Sequence, residues 1–118
     1  MLRVYSYKGC DSCRKAIKWL KERGIEFENL PIRETPPSMA ELRTALSAYD
    51  GELKRLFNVS GQDYRALGLK DRLADMSEDE SLRLLRENGN LVKRPFVLGK
   101  DSAIVGFKEA EWEERFGS

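Results

Sequence analysis

The chain opens on alternation. Leu2-Arg3-Val4-Tyr5-Ser6-Tyr7 sets apolar against mixed residues at a period of two, which predicts a strand. The period then lengthens. Ala16, Ile17 and Leu20 recur at helical spacing within a segment near 12–23, and Gly24 suits its C-terminal cap. A second strand is predicted around Phe27-Glu28-Asn29-Leu30-Pro31-Ile32, and the short turn before it implies a parallel β-α-β pair. Ser38-Met39-Ala40-Glu41, directly after Pro36-Pro37, has the form of a capping box and predicts a helix to about Ala48. Short helical pieces are predicted over Glu52–Leu56 and Gln62–Leu67, punctuated by Gly61 and Gly68. Ser77-Glu78-Asp79-Glu80 is a second capping box. It opens a helix to about Glu87 with Leu82 and Leu85 inward, and Asn88-Gly89-Asn90 ends it. Pro95-Phe96-Val97-Leu98-Gly99 and Ser102-Ala103-Ile104-Val105-Gly106 read as an antiparallel hairpin about a tight turn at Lys100-Asp101. A last helix is predicted from about Lys108 to Phe116.

The order is β-α-β, a helical insert at about 36–90, then β-β-α. Without the insert this is a thioredoxin-like α/β fold: a mixed four-stranded sheet with helices on both faces. The length of 118 residues suits a single domain, 1–118, with one modest core.

Charge narrows the function classes. Lysine and arginine number 21 against 20 acidic residues, and no sustained basic tract occurs, so nothing calls for direct nucleic-acid or membrane binding. No apolar run approaches membrane-spanning length, and the N-terminus enters a charged strand without a signal peptide. A cytoplasmic protein is expected. Histidine is absent, which excludes Ser-His-Asp and Cys-His catalysis within the chain. Two cysteines without histidine make a poor zinc site; a carboxylate-assisted or intermolecular one stays open.

Those two cysteines carry the chemistry. Cys10-Asp11-Ser12-Cys13 falls where the first strand becomes the first helix. A thiol in the first turn of a helix faces unpaired backbone N–H groups and the positive end of the peptide dipoles, and both favour a thiolate. Cys10, at the helix start, is the expected nucleophile. Cys13, deeper in the turn, is the expected resolving thiol, able to attack a mixed disulfide on Cys10. Ser12 is a candidate helix cap. Asp11 works against a thiolate at Cys10, and Lys8 and Arg14 work against Asp11. The bland alternative is a pair of incidental buried cysteines.

Lys93-Arg94-Pro95 is the second informative run. In a thioredoxin-like fold the residue opening the third strand lies opposite the Cys-x-x-Cys turn, and a proline there is usually cis. Pro95 would shape a groove for an extended peptide or a glutathione-like substrate. Arg94 would point toward Cys10, to stabilise the thiolate or hold an anion. The alternative is an ordinary surface arginine before a strand-initiating proline. Trp19 and Trp112 read as helix-face packing residues, Tyr64 as core or rim, and 109–115 as a solvated helix face. Lys70-Asp71-Arg72 has no specific reading.

Gly9-Cys10-Asp11-Ser12-Cys13-Arg14-Lys15-Ala16, Pro36-Pro37-Ser38, the run from Leu56 to Leu69, Lys93-Arg94-Pro95 and Val105-Gly106-Phe107-Lys108-Glu109 together resemble the ArsC/Spx family, the arsenate reductase-like branch of the thioredoxin superfamily. The resemblance implies a cytoplasmic thiol–disulfide oxidoreductase with Cys10 and Cys13 as its redox pair and no bound cofactor. Glutathione, or a glutaredoxin or thioredoxin system, would be its reductant, and a small thiol or a protein disulfide its substrate. The family's glutaredoxin-coupled arsenate reductases hold their oxyanion with three arginines. Arg94 matches one of them, and the other two positions hold Asn58 and Phe107, which argues against arsenate as substrate. The resemblance equally implies a second class. Spx-like regulators keep a Cys-x-x-Cys switch and bind the C-terminal domain of the RNA polymerase α-subunit. A third branch resembles glutathione-dependent thiol reductases, and the run Phe57-Asn58-Val59-Ser60-Gly61-Gln62 fits it best.

Overall fold

A computed structural model describes residues 2–99 and 103–116. Strand β1 (Leu2–Ser6) leads into helix α1 (Asp11–Glu22), and strand β2 (Phe27–Pro31) follows. Helix α2 (Met39–Ala48), a 3-10 turn (Leu53–Leu56), and the short helices α3 (Gln62–Ala66) and α4 (Leu69–Arg72) come next. A 3-10 turn (Leu73–Asp75), helix α5 (Glu78–Glu87) and another 3-10 turn (Gly89–Leu91) complete the helical insert. Strands β3 (Phe96–Leu98) and β4 (Ala103–Val105) and helix α6 (Glu109–Phe116) close the order. The four strands lie as β2-β1-β3-β4. β1 pairs parallel with β2 and antiparallel with β3, and β3 pairs antiparallel with β4. The mixed thioredoxin-like sheet with an insert between its second and third strands is therefore present. The tight turn predicted at Lys100-Asp101, and Ser102 beyond it, lie outside the described residues.

Strand alternation sorts the side chains onto two faces. Val4, Val97 and Ile104 meet Ala16, Trp19 and Leu20 of α1 and Trp112 of α6. The opposite face, with Tyr5, Phe96 and Leu98, meets the insert through residues such as Leu42, Leu82 and Leu85. Trp19 and Trp112 pack edge to face at 5.6 Å, and Phe116 and Phe107 lie 5.4 and 5.0 Å from the Trp112 ring. Each such pair adds about 0.5–1.5 kcal/mol beyond the area it buries. Trp112 also donates its indole N–H to Gly106 O at 3.0 Å, which fixes α6 against the end of β4. Tyr64 is buried, within the range expected for core or rim. Ile17 is only half-buried; the inward face of α1 is made by Cys13, Ala16, Trp19 and Leu20.

The capping signals differ in the detail. Ser38 and Glu41 make the complete box: Glu41 N–H donates to Ser38 Oγ at 3.1 Å and Ser38 N–H to Glu41 Oε1 at 2.9 Å. At α5 only half forms. Glu80 N–H reaches Ser77 Oγ, but the Glu80 carboxylate accepts from the Ser77 hydroxyl rather than from its backbone N–H. The sequence reading passed over α4. Its four residues are held by Gly68 in a left-handed conformation (φ 64°) at the N-terminus and by buried Leu69, a signal too short to show periodicity.

Gly89 has a role beyond ending α5. A Cβ built there would lie 1.9 Å from Ile32 O and 3.0 Å from Arg33 Cα. The insert can settle on the end of β2 only because this position carries no side chain. None of the helices described is long and apolar enough to cross a membrane.

Candidate active site

Parallel pairing of β1 and β2 brings both C-terminal ends to one side of the sheet, where Ser6 is level with Pro31. Segment 7–10 and residues 32–33 leave from there. The carboxyl ends of parallel strands are where α/β folds gather their reactive groups.

Cys10 is itself the N-cap of α1. Its backbone is extended (φ −98°, ψ 115°), and its Sγ accepts the backbone N–H of Cys13 at 3.3 Å. Ser12, the expected cap, sits inside the first turn with its side chain exposed. The physical reason is position: the residue just before the helix aims its side chain at the free amides, and that residue is Cys10. Sulfur thus replaces the usual oxygen acceptor, and the sulfur that accepts best is a thiolate. Cys10 is half-buried and Cys13 is 1% exposed, and both are free thiols.

Burial, reinforced by a hydrogen bond with Cys10, pushes the Cys13 thiol up to about 12, while the Tyr7 backbone and the charge of Arg94 pull the other way. The proton therefore stays on Cys13. On the solvent side, Arg14 pairs with Asp11 and also donates to Lys8 O at 3.5 Å, so the carboxylate beside Cys10 is neutralised.

The Arg94-Pro95 peptide is cis, and Pro95 is buried. Lys93 N–H donates to Leu56 O at 2.8 Å, whereas Arg94 N–H and C=O take no backbone partner among the described residues. Arg94 has a different neighbour from the one expected. Its guanidinium lies over the Tyr7 ring, 5.1 Å from the centroid, and makes no hydrogen bond to Cys10. It reaches the pair through its charge on Cys13.

Arg94 separates two clefts. A cleft of about 370 Å³ contains Ser12, Phe57, Lys93 and Phe107, and one of about 290 Å³ contains Arg33, Asn58, Gln62 and Asp63. Phe107 lines the first of these clefts and Asn58 the second, and Arg94 lines both. The structure joins all four expected site residues, Cys10, Cys13, Arg94 and Pro95, in one region at this end of the sheet. It adds two that sequence reasoning missed. Arg33 donates to Tyr7 Oη at 3.0 Å and lies 5.0 Å from the same ring. The parallel β1–β2 pairing was the signal that would have found them.

A model of the ArsC family matches residues 5–115. The chain belongs to the ArsC family. The uncharacterized protein YusI of Bacillus subtilis is 46% identical over 115 residues, covering 98% of each chain. The global transcriptional regulator Spx of Enterococcus faecalis is 30% identical, covering 94% of this chain and 83% of its own. Among solved structures, a possible arsenate reductase from Streptococcus mutans superposes with a TM-score of 0.90 at 38% identity, covering 98% of each chain. The resemblance carried by the motifs is therefore confirmed at the level of family and fold.

Proposed function

We propose that this ArsC-family chain is a thiol–disulfide oxidoreductase. Cys10 is the nucleophile, Cys13 the resolving thiol, and Arg94 the cation that eases the second step. One observation carries the reading: Cys10 Sγ caps α1 on the Cys13 N–H while the buried Cys13 keeps its proton. The Cys10 thiolate attacks one sulfur of a disulfide RSSR, forming Cys10–S–S–R and releasing one thiolate. Cys13 then gives its proton to a departing thiolate, and its sulfur attacks Cys10 Sγ, releasing the second RS group. The substrate gains two electrons and leaves as two thiols, one carrying the Cys13 proton and the other a proton from water, and the protein is left with a Cys10–Cys13 disulfide. Glutathione, or a glutaredoxin or thioredoxin system, supplies the two thiols that reduce it. The N–H and C=O of Arg94, beside Pro95 and without a backbone partner among the described residues, suit an extended protein disulfide as readily as a small one.

Cys10→Ser should reduce disulfide turnover to background. Turnover retained in that variant would remove the nucleophile from this scheme. Cys13→Ser should instead trap R on Cys10, visible as an added mass that a reductant removes. Arsenate should give little turnover with glutathione and glutaredoxin, since Asn58 and Phe107 bring no cation where an oxyanion would need one.

The 30% identity to Spx favours a second reading, a redox-sensing regulator that binds the RNA polymerase α-subunit. Retention of that subunit by the oxidised or the reduced protein, compared in one pull-down, separates the two. If neither form retains it, the regulator reading is lost.

A further inference from the structure

We propose that Arg33 and Arg94, set about Tyr7, form a clamp for a carboxylate, and that the disulfide reduced at Cys10 is therefore an anionic one. This rests on the oxidoreductase reading and names its substrate class. Both guanidinium groups approach one ring, at 5.0 and 5.1 Å from its centroid, and both face the same 290 Å³ cleft. Neither has a carboxylate partner among the described residues. Arg33 is held in place by its hydrogen bond to Tyr7 Oη and by the close approach of Gly89 to its backbone.

The acidic residue of the cleft is turned elsewhere. Asp63 Oδ2 accepts from Asn88 Nδ2 at 2.9 Å and from Asn90 Nδ2 at 3.3 Å. Two guanidinium groups thus face a cleft whose acidic residue, Asp63, is held by two amides rather than by either arginine, and an anion between the two like charges relieves their repulsion. Guanidinium groups suit a carboxylate because each offers parallel N–H donors. Asn58 and Gln62 in the same cleft add amide groups for a polar substrate. The clamp belongs to the segment that carries Cys10: Tyr7 O accepts the Cys10 N–H at 3.1 Å. A carboxylate held there places its own disulfide beside the nucleophile.

The test compares three small disulfides of similar length: 3,3′-dithiodipropionate (anionic), bis(2-hydroxyethyl) disulfide (neutral) and cystamine (cationic). Wild type should react with the anionic one about tenfold faster than with the neutral one, and more slowly still with the cationic one. The preference should shrink as salt is added. Arg33→Gln should collapse the anionic-to-neutral ratio toward one, and Arg33→Lys should recover part of it. An equal ratio in wild type, or a ratio untouched by Arg33→Gln, overturns the proposal. Binding of 3,3′-thiodipropionate, which has no disulfide to reduce, is followed by NMR of the Tyr7 ring. If this thioether binds wild type and not Arg33→Gln while no disulfide is reduced, the clamp stands and the oxidoreductase reading falls. If it binds neither protein, the clamp falls.

Discussion

Tyr5 and Tyr7, two residues apart at the end of β1, each sit beside arginine, yet their surroundings are opposites. Tyr5 is buried and donates its hydroxyl to Glu41 Oε1 at 2.7 Å, and Arg3 donates to Glu41 Oε2 at 2.8 Å. The same carboxylate closes the capping box of α2 through Ser38. Glu41 thus answers Arg3, Tyr5 and Ser38 together, and the result is a joint between β1 and the insert. Around Tyr7 stand Arg33 and Arg94, with no carboxylate paired to either among the described residues. β1 thus carries a closed cluster that holds the fold, and the residue just past its end carries an open one, the clamp proposed for a carboxylate. Similar residue types do either job; the difference is whether the fold delivers a counter-charge.

The largest change should come from the contact that supports the open cluster. Gly89→Ala drives a Cβ into the Ile32 backbone and should cost about 3 kcal/mol in urea unfolding, and it should displace Arg33. A melt equal to wild type would show that the insert yields there. Glu41→Ala breaks the closed cluster. It strands the Tyr5 hydroxyl and the Ser38 N–H, and should destabilise by about 2 kcal/mol in the same assay.

Titration sharpens the contrast. Burial of Glu41 opposes its charge, but bonds from Ser38, Tyr5 and Arg3 outweigh it and hold the carboxyl below its ordinary 4.5. The folded value is the lower one, so this stabilisation is present above that ordinary range and is lost as pH falls through the folded value. Glu41→Gln should flatten the acid limb of the stability profile. At the alkaline end burial raises both Tyr5 and Cys13 to about 12, from 10.0 and 9.0. Here the folded values are the higher ones. The stabilisation is complete below the ordinary values and disappears as pH climbs toward about 12. Cys13→Ser should remove the part that begins lowest. A profile unchanged by Cys13→Ser would mean that the Cys13 proton is not held by folding.

The smallest stability effect belongs to the open cluster itself. Arg33→Gln should shift unfolding by less than about 0.5 kcal/mol, because Arg33 anchors no buried partner. A loss of several times that size would make Arg33 a structural residue and erase the contrast between the two tyrosines.

Much of the scaffold was legible in advance because its signals are local. Alternation at Leu2–Ser6, helical spacing at Ala16 and Leu20, and the box at Ser38 and Glu41 each act within a few residues. The N-cap was misassigned to Ser12, because choosing between Ser12 and Cys10 needs the residue at which the helix begins. The piece expected over Gln62–Leu67 is α3, but Leu69 gave little warning of α4, which exists through burial rather than periodicity.

By itself, the order of residues determined the strands, most helices, the Cys10–Cys13 spacing and the place of Pro95, since each depends on neighbours within a turn or two. Tertiary structure alone decided that Glu41 answers Arg3 while Arg33 and Arg94 share Tyr7, and that Gly89 lies against Ile32. Those contacts join segments far apart in the chain, and a charge gains or lacks a partner only once the sheet has brought the segments together.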